Sequence, residues 1–164
     1  MPGRKTLDDR ARVAQDRTML KRLALLIALV AAPPALAQGM AFPVHGNWCG
    51  PNHGAGPVLD LLDAACMRHD MCVVQAGPLD CGCDLAFMGE LRAQGWPNLV
   101  LAAKARAVYE IIALAPCTDP DGHRLKVNLA ASDWARDVAL GVEPPWAVLD
   151  RLGGLFVEGM ARGH

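Results

Sequence analysis

Six cysteines, at positions 49, 66, 72, 81, 83 and 117, constrain this chain more than any other feature. Their compartment is set upstream, by residues 19–37, MLKRLALLIALVAAPPALA. This segment opens on Lys21 and Arg22, runs apolar, and ends at Ala35-Leu36-Ala37. Such a pattern predicts a secretory signal peptide cleaved after Ala37, with Met19 a candidate start and residues 1–18 an over-extended frame. The apolar run is short for a membrane span and Pro33-Pro34 interrupts it. No cysteine stands at the cleavage point, so a lipoprotein anchor is not expected. An even cysteine count in an exported chain reads as a disulfide framework rather than cytosolic metal binding. The expected organisation is an extension and signal peptide at 1–37 and one domain at 38–164, secreted or periplasmic.

Charge narrows the partners. Residues 1–37 hold seven of the sixteen basic and three of the seventeen acidic residues, which leaves residues 38–164 at a net charge of −5. A mildly acidic domain argues against a nucleic-acid partner and against strong electrostatic capture by anionic lipid. A monomer is assumed.

The domain reads as mainly α. Residues 38–47 suggest an extended arm, and a Gly/Pro loop follows to Gly56-Pro57. From Pro57 and Val58, apolar residues at Leu59, Leu62, Cys66, His69 and Val73 mark the buried face of a helix that Gly77-Pro78 ends. A second helix is expected from near Cys83-Asp84 toward Gly95. A third spans Leu99 to Leu114, with Lys104 and Arg106 left for solvent. Thr118 to Gly122 reads as a turn, and Leu125 to Val127 as the one candidate strand piece. Asp119 and Asp121 lack the other ligands of a calcium loop. Helices are expected at Leu129 to Leu140 and Pro145 to Met160, the latter broken at Gly153-Gly154 and burying Leu149, Leu152, Leu155 and Phe156. His45, His53, His123 and His164 read as solvated.

The chemistry lies in Trp48 to Cys72, WCGPNHGAGPVLDLLDAACMRHDMC, and in Cys81-Gly82-Cys83-Asp84 shortly after. Neighbours on a helix point about 100° apart, so His69 and Asp70 cannot serve as a hydrogen-bonded pair. His69 looks inward, where a neutral imidazole suits proton abstraction from water. A carboxylate on its other nitrogen would fix tautomer and orientation, and Asp84 is the candidate. Asp70 is free to face the loop, whose carbonyl oxygens together with a carboxylate suit a hard cation such as calcium. A Cys49–Cys66 bond would clamp loop to helix, and a Cys72–Cys83 bond would bring Asp84 to His69. Six cysteines, however, allow fifteen pairings.

The aromatic-Cys-Gly loop, the C-x-x-H-D-x-C element at Cys66 to Cys72 and the later C-x-C-D at Cys81 to Asp84 together resemble the secreted phospholipase A2 superfamily. The resemblance implies a small disulfide-stapled helical domain with two antiparallel core helices and a calcium-binding loop. It implies His69 as the base that activates water and Asp84 as its orienting carboxylate. Calcium would be held by Asp70 and the carbonyls of Trp48, Gly50 and Asn52, with the Gly50 N–H adding to the oxyanion site. The implied reaction is hydrolysis of the sn-2 ester of a glycerophospholipid at a membrane or micelle surface. The chain departs from the family pattern at Ala65 (usually cysteine), Asn52 (glycine) and Val73 (tyrosine), the last leaving Tyr109 as the only tyrosine. Its loop is one residue longer, and no amphipathic helix precedes it. The alternatives are a catalytically silent relative that binds lipid or protein, and a zinc protein using Cys66, His69, Cys72 and Cys81.

Overall fold

The computed structural model describes residues 41–162; the expected export segment and His164 lie outside them. Among the described residues there are five helices and no strand: α1 Leu61–Ala76, α2 Cys81–Ala93, α3 Leu99–Leu114, α4 Pro120–Ala139 and α5 Ala147–Arg162. The helical domain is stapled by three disulfides, Cys49–Cys66, Cys72–Cys83 and Cys81–Cys117, which use every cysteine.

Four of the five helices begin at an Asp or Asn side chain that accepts first-turn N–H groups, and these caps decide the boundaries. Asp60 accepts from Leu62 and Asp63, so α1 starts three residues after the expected Val58, and Leu59 is exposed. Asp80 accepts from Cys83 N at 2.8 Å, which draws the start of α2 back to Cys81. Asn98 caps α3 at the expected place. The largest correction is α4. Asp119 accepts from Asp121 and Gly122 and Pro120 takes the first turn, so the expected turn and strand piece are one helix running unbroken to Ala139. Asp119 is thus a cap. α5 runs through Gly153-Gly154 and buries Leu155, whereas Leu149 and Phe156 are exposed.

The core lies where α3 packs against α2, α4 and α5, and α1 against α2. It is filled by Leu62, Phe87, Met88, Leu91, Leu101 and Val108, each contributing about 1.5–3 kcal/mol when fully buried. Lys104 and Arg106 are not left to solvent: Lys104 pairs with Glu158 of α5, and Arg106 with Glu110 and Asp137. Arg92 and the Tyr109 hydroxyl both reach Asp133 at 2.8 Å, tying α2 and α3 to α4. Arg151 of α5 bonds Glu110 and Glu143. These pairs set which helices meet more than they add to net stability, because desolvation offsets much of the attraction.

Asp63 organises the loop ahead of α1. It is fully buried, and its carboxylate accepts from Asn47 N at 2.9 Å, Trp48 N at 2.7 Å and Leu59 N at 2.9 Å. Three main-chain donors that a tight loop would otherwise leave orphaned are satisfied by one side chain. His45, expected in solvent, is half-buried and lies 2.7 Å from Asp60.

Candidate functional site

α1 presents His69 one turn after buried Cys66, and α2 presents buried Asp84 beside Cys83. The Cys72–Cys83 bond, with Cα atoms 5.7 Å apart, joins the two helices next to both residues. His69 Nε2 lies 2.9 Å from Asp84 Oδ1, in hydrogen-bond range. With Nε2–H donating to the carboxylate, Nδ1 is left as the acceptor. Phe87 stacks on the imidazole with ring centroids 4.7 Å apart. The ring is therefore held in plane by Phe87 and in rotation by Asp84.

Asp70 Oδ1 is 3.8 Å from His69 Nδ1, a charge contact and longer than a hydrogen bond. Burial disfavours the charged imidazole, but the carboxylates of Asp70 and Asp84 outweigh it and raise the His69 pKa from 6.5 to about 9. For Asp84, burial pushes the pKa up, and the bonds from His69 and Lys126 more than reverse this, leaving it below the usual range. A raised histidine pKa adds stability that is complete below about 6.5 and is lost as pH rises through about 9. An NMR titration of the calcium-free protein should place the His69 midpoint near 9, and Asp70→Asn should move it back toward 6.5. An unchanged midpoint in that variant would refute the assigned cause.

His69 and Asp70 line a cavity of about 360 Å³ together with Trp48, Gly50, Phe42 and Phe87, and with Ile111 of α3 and Leu152, Leu155 and Phe156 of α5. Its wall is apolar apart from this pair. The sequence reading missed the α5 wall, because an amphipathic C-terminal helix gives no sign of which cavity it borders.

The expected loop residues fall as follows. Gly50 has φ of +139°, and a Cβ there would meet the Phe42 carbonyl oxygen at 2.0 Å, so only glycine fits. Its carbonyl accepts from His53 N at 3.3 Å, closing a turn. Asn52 has φ of 54°, the left-handed conformation a glycine would adopt and asparagine tolerates. Asn52 is exposed and is not part of the cavity wall. Trp48 lines the cavity and its indole N–H donates to the Gly56 carbonyl at 3.1 Å.

Whether this donor set suits a cation can be judged at Asp70. A Cβ on Gly54 would come within 2.9 Å of Asp70 Oδ2, so the loop leaves a space beside that oxygen that any other residue would fill. Among the described residues, no three His, Cys, Asp or Glu side chains gather as metal ligands. A cation here would rest on one carboxylate and main-chain oxygens, a hard set that fits calcium rather than a softer metal. The expected zinc alternative is overturned, since Cys66, Cys72 and Cys81 are all in disulfides and offer no thiolate.

Two further residues escaped the sequence reading. Lys126 of α4 is fully buried and donates to Asp84 Oδ2, and Asp63 holds the loop. Tyr109 bonds Asp133 and takes no part in the His69–Asp84 pair. No helix of the described residues is long and apolar enough to cross a membrane. Comparison with family models, with curated proteins and with solved structures finds no match.

Proposed function

We propose that the domain is a calcium-dependent phospholipase A2, hydrolysing the sn-2 ester of a glycerophospholipid to a fatty acid and a lysophospholipid. The observation that carries this reading is the His69–Asp84 pair, 2.9 Å apart, opening onto an apolar cavity beside an available carboxylate. A cavity of about 360 Å³ with so few polar groups suits an acyl chain rather than a sugar or a peptide. Exposed Ile111 and Phe156 belong to both its wall and the molecular surface, as entry from a lipid aggregate requires.

In the reaction, His69 Nδ1 takes a proton from a water molecule, whose oxygen adds to the ester carbonyl carbon. Asp84 remains a carboxylate and stabilises the imidazolium that forms. Collapse of the tetrahedral species breaks the bond to the glycerol oxygen, which takes the proton back from Nδ1. The Gly50 N–H is the chain's own candidate donor to the carbonyl oxygen as charge develops there. Calcium, when held by Asp70 and the carbonyls of Trp48, Gly50 and Asn52, would supply Lewis-acid polarisation of that carbonyl and a seat for the substrate phosphate.

The test is fatty-acid release from phospholipid micelles. Release is expected with calcium and should fall to background with a chelator. A second reading, lipid binding without turnover in the same cavity, is favoured by Asn52 and Val73, where the chain departs from the family pattern. Calcium-supported turnover excludes it.

A further inference from the structure

Lys126 is fully buried, at 0 % solvent exposure. A buried ammonium is costly unless its donors are met and its charge is balanced. Two acceptors meet it: Asp84 Oδ2, and the Ala115 carbonyl at 2.8 Å, where α3 ends. The two oxygens of Asp84 are thereby divided, Oδ2 to Lys126 and Oδ1 to His69 Nε2.

This meeting is built by the chain. Cys81 and Asp84 stand three apart on α2, and Gly122 and Lys126 four apart on α4, so each pair shares a helix face. A Cβ at Gly122 would lie 2.8 Å from the Cys81 Cβ, so glycine lets the start of α4 close onto that of α2. The Cys81–Cys117 bond anchors the same corner, and one turn further along Lys126 faces Asp84.

We propose that Lys126 is a positioning residue of the hydrolytic site: by holding Asp84 Oδ2, it fixes the carboxylate so that Oδ1 orients the His69 ring. This inference rests on the phospholipase reading for its consequence in turnover, though not for its geometry. Lys126 approaches Asp84 from α4. It does not touch substrate.

The test uses Lys126→Met, Lys126→Gln, Asp84→Asn and the Asp84→Asn/Lys126→Met double variant of the full chain, assayed with calcium on phospholipid micelles. Lys126→Met should lower kcat by about 10- to 100-fold, the usual cost of losing the outer partner of an acting side chain. KM should stay within about twofold. Lys126→Gln, whose amide can still donate to Asp84, should retain more kcat than Lys126→Met. The double variant should be no slower than Asp84→Asn alone, because Lys126 acts only through Asp84. A second measurement needs no turnover: the His69 Nε2–H proton should give a downfield, slowly exchanging resonance that Lys126→Met broadens. Multiplying losses in the double variant, near-normal kcat in Lys126→Met, or an unchanged resonance would each overturn the proposal. So would failure of both Lys126 variants to reach the wild-type circular dichroism spectrum, which would make Lys126 scaffold only. A wild type that hydrolyses no lipid defeats the functional reading instead, and the resonance then still decides the role of Lys126.

Discussion

His69→Gln should lower kcat for ester hydrolysis by about 10²- to 10⁴-fold, the range expected for a positioned general base. The glutamine amide can still donate to Asp84 Oδ1, where the imidazole Nε2–H now sits 2.9 Å away, so the carboxylate is not stranded. It has no basic nitrogen to stand in for Nδ1. The fold should be retained, because the disulfide between Cys72 and Cys83 holds α1 to α2 whatever stands at position 69, although the stability carried by the protonated imidazole near neutral pH is lost. Calcium affinity, measured by calorimetry, should also survive, since the proposed carboxylate ligand is Asp70. Loss of kcat with calcium binding and the fold retained would separate the base from the cation seat. Hydrolysis at the wild-type rate in this variant would remove His69 from the mechanism.

Asp63→Ala is the second large effect, and it falls on stability. The substitution strips the partner from three main-chain N–H groups, those of Asn47, Trp48 and Leu59, around a side chain with 0 % exposure. Each stranded donor costs about 1–3 kcal/mol, less whatever water the opened loop admits, so a loss of about 3–5 kcal/mol is expected. Urea unfolding should show the midpoint falling with the slope preserved. The loop carries Trp48 and Gly50, so calcium affinity should weaken in parallel. Asp63→Asn, which keeps one accepting oxygen, should lie between. A loss below about 1 kcal/mol would mean that the Cys49–Cys66 bond alone fixes the loop.

How much of this was legible in the sequence depends on what kind of signal each residue carries. α3 was readable to the residue because Asn98 caps it and its apolar spacing is regular. The start of α1 was misread because Pro57 is a common first-turn residue, while Asp60 two N–H bonds deep in the cap outcompetes it. α4 was misread because its sequence is polar and its apolar stripe thin, so tertiary packing on α2 and α3 makes the helix. The His69–Asp84 pairing was legible as a candidate, since Asp84 stands beside two cysteines at the start of α2. Six cysteines leave fifteen pairings, however, and only the structure joins Cys72 to Cys83. Lys126 and Asp63 were not, since a buried lysine on α4 looks like a solvent-facing one until α2 is placed beside it. The same holds for Arg106, whose partners Glu110 and Asp137 lie one turn away and on another helix.

The central claim is that one calcium-supported site cuts one ester. The most direct measurement is hydrolysis of a phospholipid carrying different acyl chains at sn-1 and sn-2, with and without calcium, the released acids identified by mass spectrometry. Release of the sn-2 acid alone, abolished by a chelator, is the predicted result; acid from sn-1, or release unaffected by the chelator, would contradict it.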